Sequence, residues 1–380
     1  MTMKRSLCSM MLMAMMLMTG VALGANPIKV GVLLPLHNEN GDGFRMVEYY
    51  RGLLFAIDSL KQEGVSVELT THNVRENANI DSVLQKGDLA NSDIIFGPLY
   101  SKQVSAISML SKLKGCKMVI PFSIETTELN NNPNLFQVYQ KPSDLEDVVI
   151  ENFTKLSFKS SDCQVIIIDC NDSTNFRKPT FTTKLKAYCD KNGISYRITN
   201  VLQTDKAFVK AFAKKKMNLV VMNSASSPKM LEVFARLNMV REKNEKLKFK
   251  VLGYTEWLMY ESFQYDNFCK NDVYVPSTYY YRANDPRVVN MENKYRFWFK
   301  QDVQLALPRF VITGFDQGYY FLKGISKYGK TFVGDAKQKV NDAIQMPLHF
   351  KRISATGGYK NSDMMFIHYR NDRALELINY

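Results

Sequence analysis

The sequence predicts an α/β protein built from two lobes, each holding a mainly parallel sheet. Short apolar runs alternate with helical patterns along the chain, and runs 28–36 and 165–169 are apolar enough to indicate strands covered on both faces. The polar, asparagine-rich stretch 125–133 interrupts this alternation, and a second series of strands and helices follows it. A chain of 380 residues, 46% of them hydrophobic, is long enough for two hydrophobic cores.

The first series opens with the strand 28–36 and continues with a helix over 45–61, whose apolar side chains recur at helical spacing. The next strand, 65–74, alternates in polarity, which is typical of a position near the edge of a sheet. The remaining predictions for this series are strands at 93–97 and 117–122, a helix at 101–113, and an extended crossing segment at 135–139.

Two helix starts are marked in the second series. Ser143 and Glu146 have the spacing of a capping box, which predicts a helix from Ser143 to about Phe158. Asp285 followed by Pro286 predicts a capped helix with a first-turn proline. The remaining predictions are strands at 165–169, 194–201, 219–223, 249–254, 273–281, 348–351 and 364–369, and helices at 180–191, 207–215, 228–238, 314–328 and 335–344.

The N-terminal segment has the pattern of a secretory signal peptide. A basic pair precedes the apolar run 7–23, and small residues at its end predict cleavage after Gly24 or Ala25. The alternative, a retained membrane anchor, requires a longer apolar run. We therefore expect residues 1–25 to be removed on export and the protein to be periplasmic.

The cysteines do not form a disulfide framework. Five remain after the expected cleavage, an odd and sparse number for a chain of this length. Cys163 and Cys170 bracket one predicted strand, so they lie near its opposite ends and cannot pair with each other, although Cys189 can reach one of them. Buried free thiols are the expectation.

Charge and motif content argue against nucleic-acid binding and catalysis. The formal net charge is +13, but the basic residues are scattered along the chain rather than gathered in one arm. The four histidines lack the spacing of a metal site, and no Cys-x-x-Cys or Gly-x-Ser-x-Gly motif occurs. The first strand–helix turn matches neither a phosphate-binding loop nor a dinucleotide fingerprint. We expect a protein that is not an enzyme and has no metal, no cofactor and no nucleic-acid partner.

Several short motifs, each nonspecific alone, occur in the order and spacing of one family. They are IKVGVLLPL (28–36), RGLLFAID (51–58), FGPLYS (96–101), VIPFS (119–123), LGYTE (252–256), GFD (314–316) and GGYKN (357–361). Together they resemble the type 1 periplasmic solute-binding proteins, in particular the leucine/isoleucine/valine-binding group, over essentially the whole mature chain.

This resemblance implies two Rossmann-like lobes joined by three crossing strands. One lobe is expected to contain 26–139 and 278–346, and the other 140–277 and 347–380. The resemblance also implies a hinge that closes on a small ligand. In open parallel sheets, ligands bind beyond the carboxyl ends of the strands, so the turns there supply the candidate residues.

Three polar residues follow predicted strands at positions where this family binds its ligand. Ser101 begins a helix, where its hydroxyl and the free first-turn amides can hold a carboxylate, or it acts only as an N-cap. The resemblance implies further hydrogen bonds from Ser123. It also implies that Glu256 is the acidic partner of an amino-acid ammonium, the alternative being a solvated loop glutamate.

Four further residues complete the candidate ligand-binding set. Tyr100 and Tyr254 are candidates for the walls of the cleft, with lobe packing as the alternative. Asn223 and Ser224 follow the strand predicted from Leu219 and are candidates from the second lobe.

Two functions are compatible with these residues. The first is an extracytoplasmic receptor that delivers an amino acid or similar small polar ligand to an ABC importer. The second is a non-transport protein of the cell envelope, with an interaction or peptidoglycan-regulatory role, that reuses the same fold. Phe122 replaces a small residue of the family's motif, and the turn 223–226 lacks the aromatic that branched-chain binders have there. Both departures favour the second function because they change the pocket.

Overall fold

The computed structural model describes residues 26–122, 126–156, 162–340 and 343–380, which form two compact units. The predicted signal peptide and Ser123 lie outside the described residues. Unit 1 takes the described residues of Met1–Phe136, Gly314–Asn341 and Arg352–Tyr359, and unit 2 those of Gln137–Thr313, Asp342–Lys351 and Lys360–Tyr380. Unit 2 therefore includes residues 278–313, which the resemblance assigns to the first lobe.

The elements are numbered in chain order. The strands are β1 (Ile28–Leu34), β2 (Val67–Asn73), β3 (Ile94–Phe96), β4 (Lys117–Ile120), β5 (Leu135–Gln137), β6 (Cys163–Asp169), β7 (Tyr196–Asn200), β8 (Met217–Met222), β9 (Lys248–Leu252), β10 (Val273–Ser277), β11 (Phe350–Arg352), β12 (Tyr359–Asn361), β13 (Met365–Tyr369) and β14 (Leu375–Asn379). The helices are α1 (Gly41–Gln62), α2 (Ile80–Leu84), α3 (Val104–Lys114), α4 (Pro142–Thr154), α5 (Pro179–Asn192), α6 (Asp205–Lys210), α7 (Ser227–Lys243), α8 (Glu261–Lys270), α9 (Pro286–Phe299) and α10 (Phe310–Tyr328).

Among the described residues, the strands form two sheets of seven strands each. Their orders are β11-β12-β5-β4-β3-β1-β2 and β14-β13-β10-β9-β8-β6-β7. In the first sheet, β1 pairs in parallel with β2 and β3, and β3 with β4. In the second sheet, β6 pairs in parallel with β7 and β8, β8 with β9, and β9 with β10. β13 pairs with β10 in the antiparallel direction. The prediction of two α/β lobes with mainly parallel sheets is confirmed.

Strand burial in unit 1 follows the apolar pattern of its sequence. β1 is buried at nearly every position, whereas β2, which pairs with it from Ile28–Val67 to Leu34–Asn73, is the edge strand and stays partly exposed. α1 begins four residues earlier than its apolar spacing predicts. The reason is a cap, because the Asn40 side chain accepts a hydrogen bond from the Gly43 amide at 3.0 Å.

Helices α1 and α10 approach closely in unit 1, and glycine permits the approach. A Cβ atom on Gly314 would lie 1.9 Å from the main-chain oxygen of Tyr49. A buried hydrogen bond of 2.7 Å from the Tyr49 hydroxyl to the Gln317 side chain joins the same two helices. The Gly314-Phe315-Asp316 motif therefore has a packing role.

The sheet of unit 2 lies in a continuous apolar core. β6 and β8 are buried along almost their whole length, as expected for central parallel strands. α5 ends at Gly193, which takes the left-handed conformation with φ of 65°. Each cysteine in the described part of the chain is a buried free thiol, and burial raises the pKa of Cys170 and Cys189 to about 12.

The predicted capping box at Ser143 is wrong. α4 begins at Pro142, one residue before Ser143, and Lys141 is its N-cap residue, without a side-chain hydrogen bond. Proline is well suited to a first helical position, so the helix starts there instead. The Glu146 carboxylate then pairs with Lys184 at 3.1 Å rather than turning back to cap the helix.

The helix predicted at 335–344 is also wrong in its described part, which is irregular. Local side-chain hydrogen bonds compete with a helix in this segment. The Gln338 side chain accepts from the Val333 and Gly334 amides at 2.6 and 3.0 Å, and the Asp335 side chain accepts from the Lys337 amide at 2.9 Å.

The helices of the described ranges are short or carry polar faces relative to the roughly 20 apolar residues of a membrane span. None of these helices combines the length and apolar character that crossing a bilayer requires.

Candidate functional site

A cavity of about 450 Å³ lies in unit 2, beyond the carboxyl ends of β9 and β10. This is the edge of a parallel sheet where ligands bind in α/β proteins, and the volume is in the usual range for small-molecule sites. Part of its wall is apolar, from Val149, Phe181 and Met364. Polar and charged side chains line the rest, and two of them form an ion pair.

The chain after β9 is held in place by tight packing and hydrogen bonds. A Cβ atom on Gly253 would lie 2.5 Å from the Trp257 ring, so the turn needs glycine at this point. The Gly253 amide donates to the Tyr274 carbonyl at 2.8 Å, and the Thr255 hydroxyl donates to the Pro276 carbonyl at 2.7 Å. These contacts fix the backbone on both sides of Tyr254 and place Glu256 on the cavity wall.

Lys178 and Glu256 form an ion pair in the cavity wall, and Lys178 directly precedes α5. Their side chains are 27% and 32% exposed, so a ligand in the cavity can reach both charges. The Lys178 ammonium also lies 5.5 Å from the centre of the Tyr254 ring, within cation–π range. The wall therefore offers a carboxylate and an ammonium side by side.

Tyr254 is part of the cavity wall, but its hydroxyl is already bonded. The hydroxyl donates to the Met222 carbonyl at 2.6 Å, and the ring packs edge-on against Phe181 and Trp257. Burial raises the pKa of Tyr254 well above its ordinary value. Its contribution at this site is therefore a neutral aromatic surface.

Asn223 and Ser224 lie after β8, as predicted, but their side chains hold the loop after β6 and neither residue lines the cavity. The Asn223 side chain accepts from the Cys170 amide at 2.8 Å and donates to Asp169 at 2.9 Å. Ser224 is fully buried and donates to the Asp172 carboxylate. Since the Asn223 carbonyl accepts from the Lys178 amide at 2.9 Å, this network positions the residue that pairs with Glu256.

The other predicted residues belong to unit 1. The Tyr100 hydroxyl donates to Asp42 at 3.3 Å, and burial together with this carboxylate raises its pKa. Ser101 is exposed and begins a 3₁₀ turn of three residues, after which α3 starts at Val104. Phe122 packs edge-on against Tyr49, with ring centres 5.3 Å apart.

Of the cavity-wall residues, only Tyr254 and Glu256 were predicted from the sequence. The polar residues that were missed include Lys178 and Tyr279. Lys178 ends the loop after β6, and Tyr279 lies two residues beyond β10, so both occupy the strand-end turns that predicted the other candidates. Burial and the negative charge of Glu256 raise the pKa of Tyr279 to about 12. Applying the strand-end rule to the loop after the strand predicted at 165–169 would have included Lys178, whereas Tyr279 falls inside the strand predicted at 273–281, which ends at Ser277 in the structure.

No protein-family model and no curated protein matches this sequence. Many solved structures match its fold, among them the following two. One is a putative branched-chain amino acid ABC transporter from Rhodospirillum rubrum, with 12% identity over 93% of this chain and 100% of that chain, and a TM-score of 0.60. The other is an ABC-type branched-chain amino acid transporter from Rhodopseudomonas palustris, with 10% identity over 92% of this chain and 95% of that chain, and a TM-score of 0.51. The predicted resemblance is confirmed for the fold: this chain has the type 1 periplasmic-binding-protein fold.

Proposed function

We propose that this chain is an extracytoplasmic solute-binding receptor for an amino acid or a similar small polar ligand. The observation that carries the proposal is the Lys178–Glu256 ion pair in the wall of the unit 2 cavity. A ligand with neighbouring ammonium and carbonyl or carboxylate groups is complementary to this pair. Its ammonium would bind Glu256, and its carbonyl or carboxylate oxygen would accept from Lys178.

Such a ligand avoids the main cost of burying charge. Burying a charge that has no partner is strongly unfavourable, whereas exchanging one partner for another keeps both charges compensated. Without ligand, the charges of Lys178 and Glu256 neutralise each other. With ligand, the ligand ammonium would take the place of Lys178 beside Glu256, and the ligand carboxylate would take the place of Glu256 beside Lys178. The Tyr254 ring and the apolar residues of the wall then exclude water and strengthen both interactions.

The fold relatives and the N-terminal sequence support the wider role. Both structures described above are named as branched-chain amino acid ABC transporter proteins, which agrees with a solute receptor that serves an ABC importer. The signal-peptide pattern of residues 1–25 agrees with action in the periplasm. The contributions of Tyr100, Ser101 and Ser123 stay predictions, and Ser101→Ala tests one of them through the ligand affinity.

A ligand screen tests the proposal. The protein is denatured, refolded to remove any ligand that was purified with it, and screened by thermal shift against amino acids, short peptides and muropeptides. Binding at about 100 times Kd should stabilise the folded state by about 2.7 kcal/mol, which is easily measured. An N-acetylated derivative of each hit is the control, because it lacks the ammonium that Glu256 would bind. A refolded protein that no compound stabilises, or that binds the acetylated derivative equally well, would contradict the proposal.

A further inference from the structure

A second and larger cavity adjoins the first in unit 2. It is an open groove of about 1180 Å³, against about 450 Å³ for the first cavity. Met259, Tyr279 and Leu307 line both spaces. The two spaces therefore share part of their walls, and a ligand bound in the first cavity lies next to the groove.

The residues shared by the two spaces form an adaptable apolar border. Met259 is 55% exposed and Leu307 38% exposed, so both side chains are open to contact with a ligand. Methionine is unbranched and polarisable, so it adapts to ligands of different shape. The border therefore provides contact surface for an extended ligand.

Tyrosine rings line the groove, and the hydroxyls of Tyr265, Tyr280 and Tyr281 are already bonded. The Tyr280 hydroxyl donates to Glu261 at 2.6 Å, and the Tyr281 hydroxyl donates to Glu292 at 2.8 Å. The Tyr265 hydroxyl donates to the Arg373 carbonyl at 3.0 Å. These bonds hold the rings in place, and because Tyr280 is buried, Tyr265 and Tyr281 offer the apolar ring surface that a ligand can contact.

Two arginines and two acidic residues line the groove. Arg282 and Arg309 line it, and the Arg309 guanidinium stacks on Tyr281 at 4.4 Å from the ring centre. The acidic residues are Asp285, whose carboxylate pairs with Arg282 at 2.9 Å, and Glu261, which accepts from a tyrosine hydroxyl. Among the described residues of the groove, Arg309 is thus the arginine that pairs with neither of these two carboxylates. An arginine wall of this kind favours a carboxylate at the far end of a ligand.

From these features we infer that the ligand is a short peptide that binds through its N-terminal residue. The ammonium and first carbonyl would meet Glu256 and Lys178, and the following side chains would lie on the tyrosine-lined groove. The C-terminal carboxylate would be directed toward Arg282 and Arg309. A free amino acid matches only the first of these three features. The inference rests on the proposed function.

The test compares leucine with a leucyl-tyrosyl-leucine tripeptide by calorimetry on the refolded full chain. Because the tripeptide buries additional apolar surface, it should bind about tenfold or more tightly than leucine. Ser262→Trp and Ala283→Trp each place a large ring in the groove at an exposed position that does not line the first cavity. Lys270→Trp is the matched control, since Lys270 is also exposed on α8 and lines neither space.

Both groove variants should lower the tripeptide affinity to that of leucine and leave leucine binding unchanged, while Lys270→Trp changes neither. Leucine binding with no gain for the tripeptide, or a gain that persists in both groove variants, would overturn this inference alone. If neither compound binds, this inference fails, whereas the proposed function fails only if no compound of the full ligand screen stabilises the refolded protein.

Discussion

Removing the Glu256 carboxylate should separate ligand binding from stability. Glu256→Gln keeps the size and shape of the side chain but abolishes the ion pair with Lys178. The two side chains are 27% and 32% exposed, so solvent screens their attraction, and the pair should contribute only about 0.2–1 kcal/mol to folding. The variant should therefore unfold at nearly the same denaturant concentration as the parent protein.

Ligand affinity should respond much more strongly. A hydrogen bond to a charged group inside a site contributes about 1.5–3 kcal/mol, so losing the Glu256–ammonium interaction should raise Kd roughly 10- to 150-fold. Calorimetry with the best compound of the refolded screen measures this change, and urea unfolding of the same samples measures stability. The Lys178→Met/Glu256→Gln double variant removes both charges and should bind no better than the single variant.

A matched control comes from α7. Lys229 and Glu232 form an ion pair of 3.0 Å with side chains 28% and 36% exposed, and neither lines the cavity. Glu232→Gln should therefore cost a similar small amount of stability and leave Kd unchanged. If Glu256→Gln binds the ligand as tightly as the parent does, Glu256 is not the ammonium partner. If Glu232→Gln weakens binding equally, the effect is not local to the cavity.

Three further predictions concern stability. Gly314→Ala brings a Cβ within 1.9 Å of the Tyr49 main-chain oxygen and should lower stability in thermal melts by about 1–3 kcal/mol. Gly41→Ala in α1 is the control, because its Cβ would come no closer than 3.9 Å to the Arg45 side chain, and it should be neutral or stabilising. Tyr254→Phe leaves a buried carbonyl without its 2.6 Å donor and should cost about 1–3 kcal/mol in urea unfolding, yet ligand Kd should change little because the ring stays. Burial opposes ionisation of Asp272, but hydrogen bonds from His368 and Lys250 outweigh it and keep its pKa below the usual value. This carboxylate therefore stabilises the fold above its unfolded pKa of about 4, and the contribution disappears as pH falls through the lower folded value. Asp272→Asn should thus be less stable than the parent at pH about 7, with the difference shrinking toward pH about 3 in urea titrations; a constant difference would contradict this.

Local signals in the sequence predicted much of the fold. The apolar runs at β1 and β6 indicated buried parallel strands because a strand covered on both faces needs no polar positions. Gly193 marked the end of α5, and Asp285 before Pro286 marked the start of α9, since each feature acts on residues next to it in the chain. Signals of the same kind failed at Ser143, where the neighbouring proline offered an earlier start.

The sequence by itself determined two sheet-based lobes and placed Tyr254 and Glu256 after a parallel strand, because strand ends and turns depend on neighbouring residues. Only the tertiary structure decided which charge faces Glu256. Lys178 lies 78 positions away in the chain, and it reaches Glu256 because the network around Asn223 holds the loop after β6 against the end of β8. Pairing across that distance depends on the packing of whole strands, and no local pattern of residues records it.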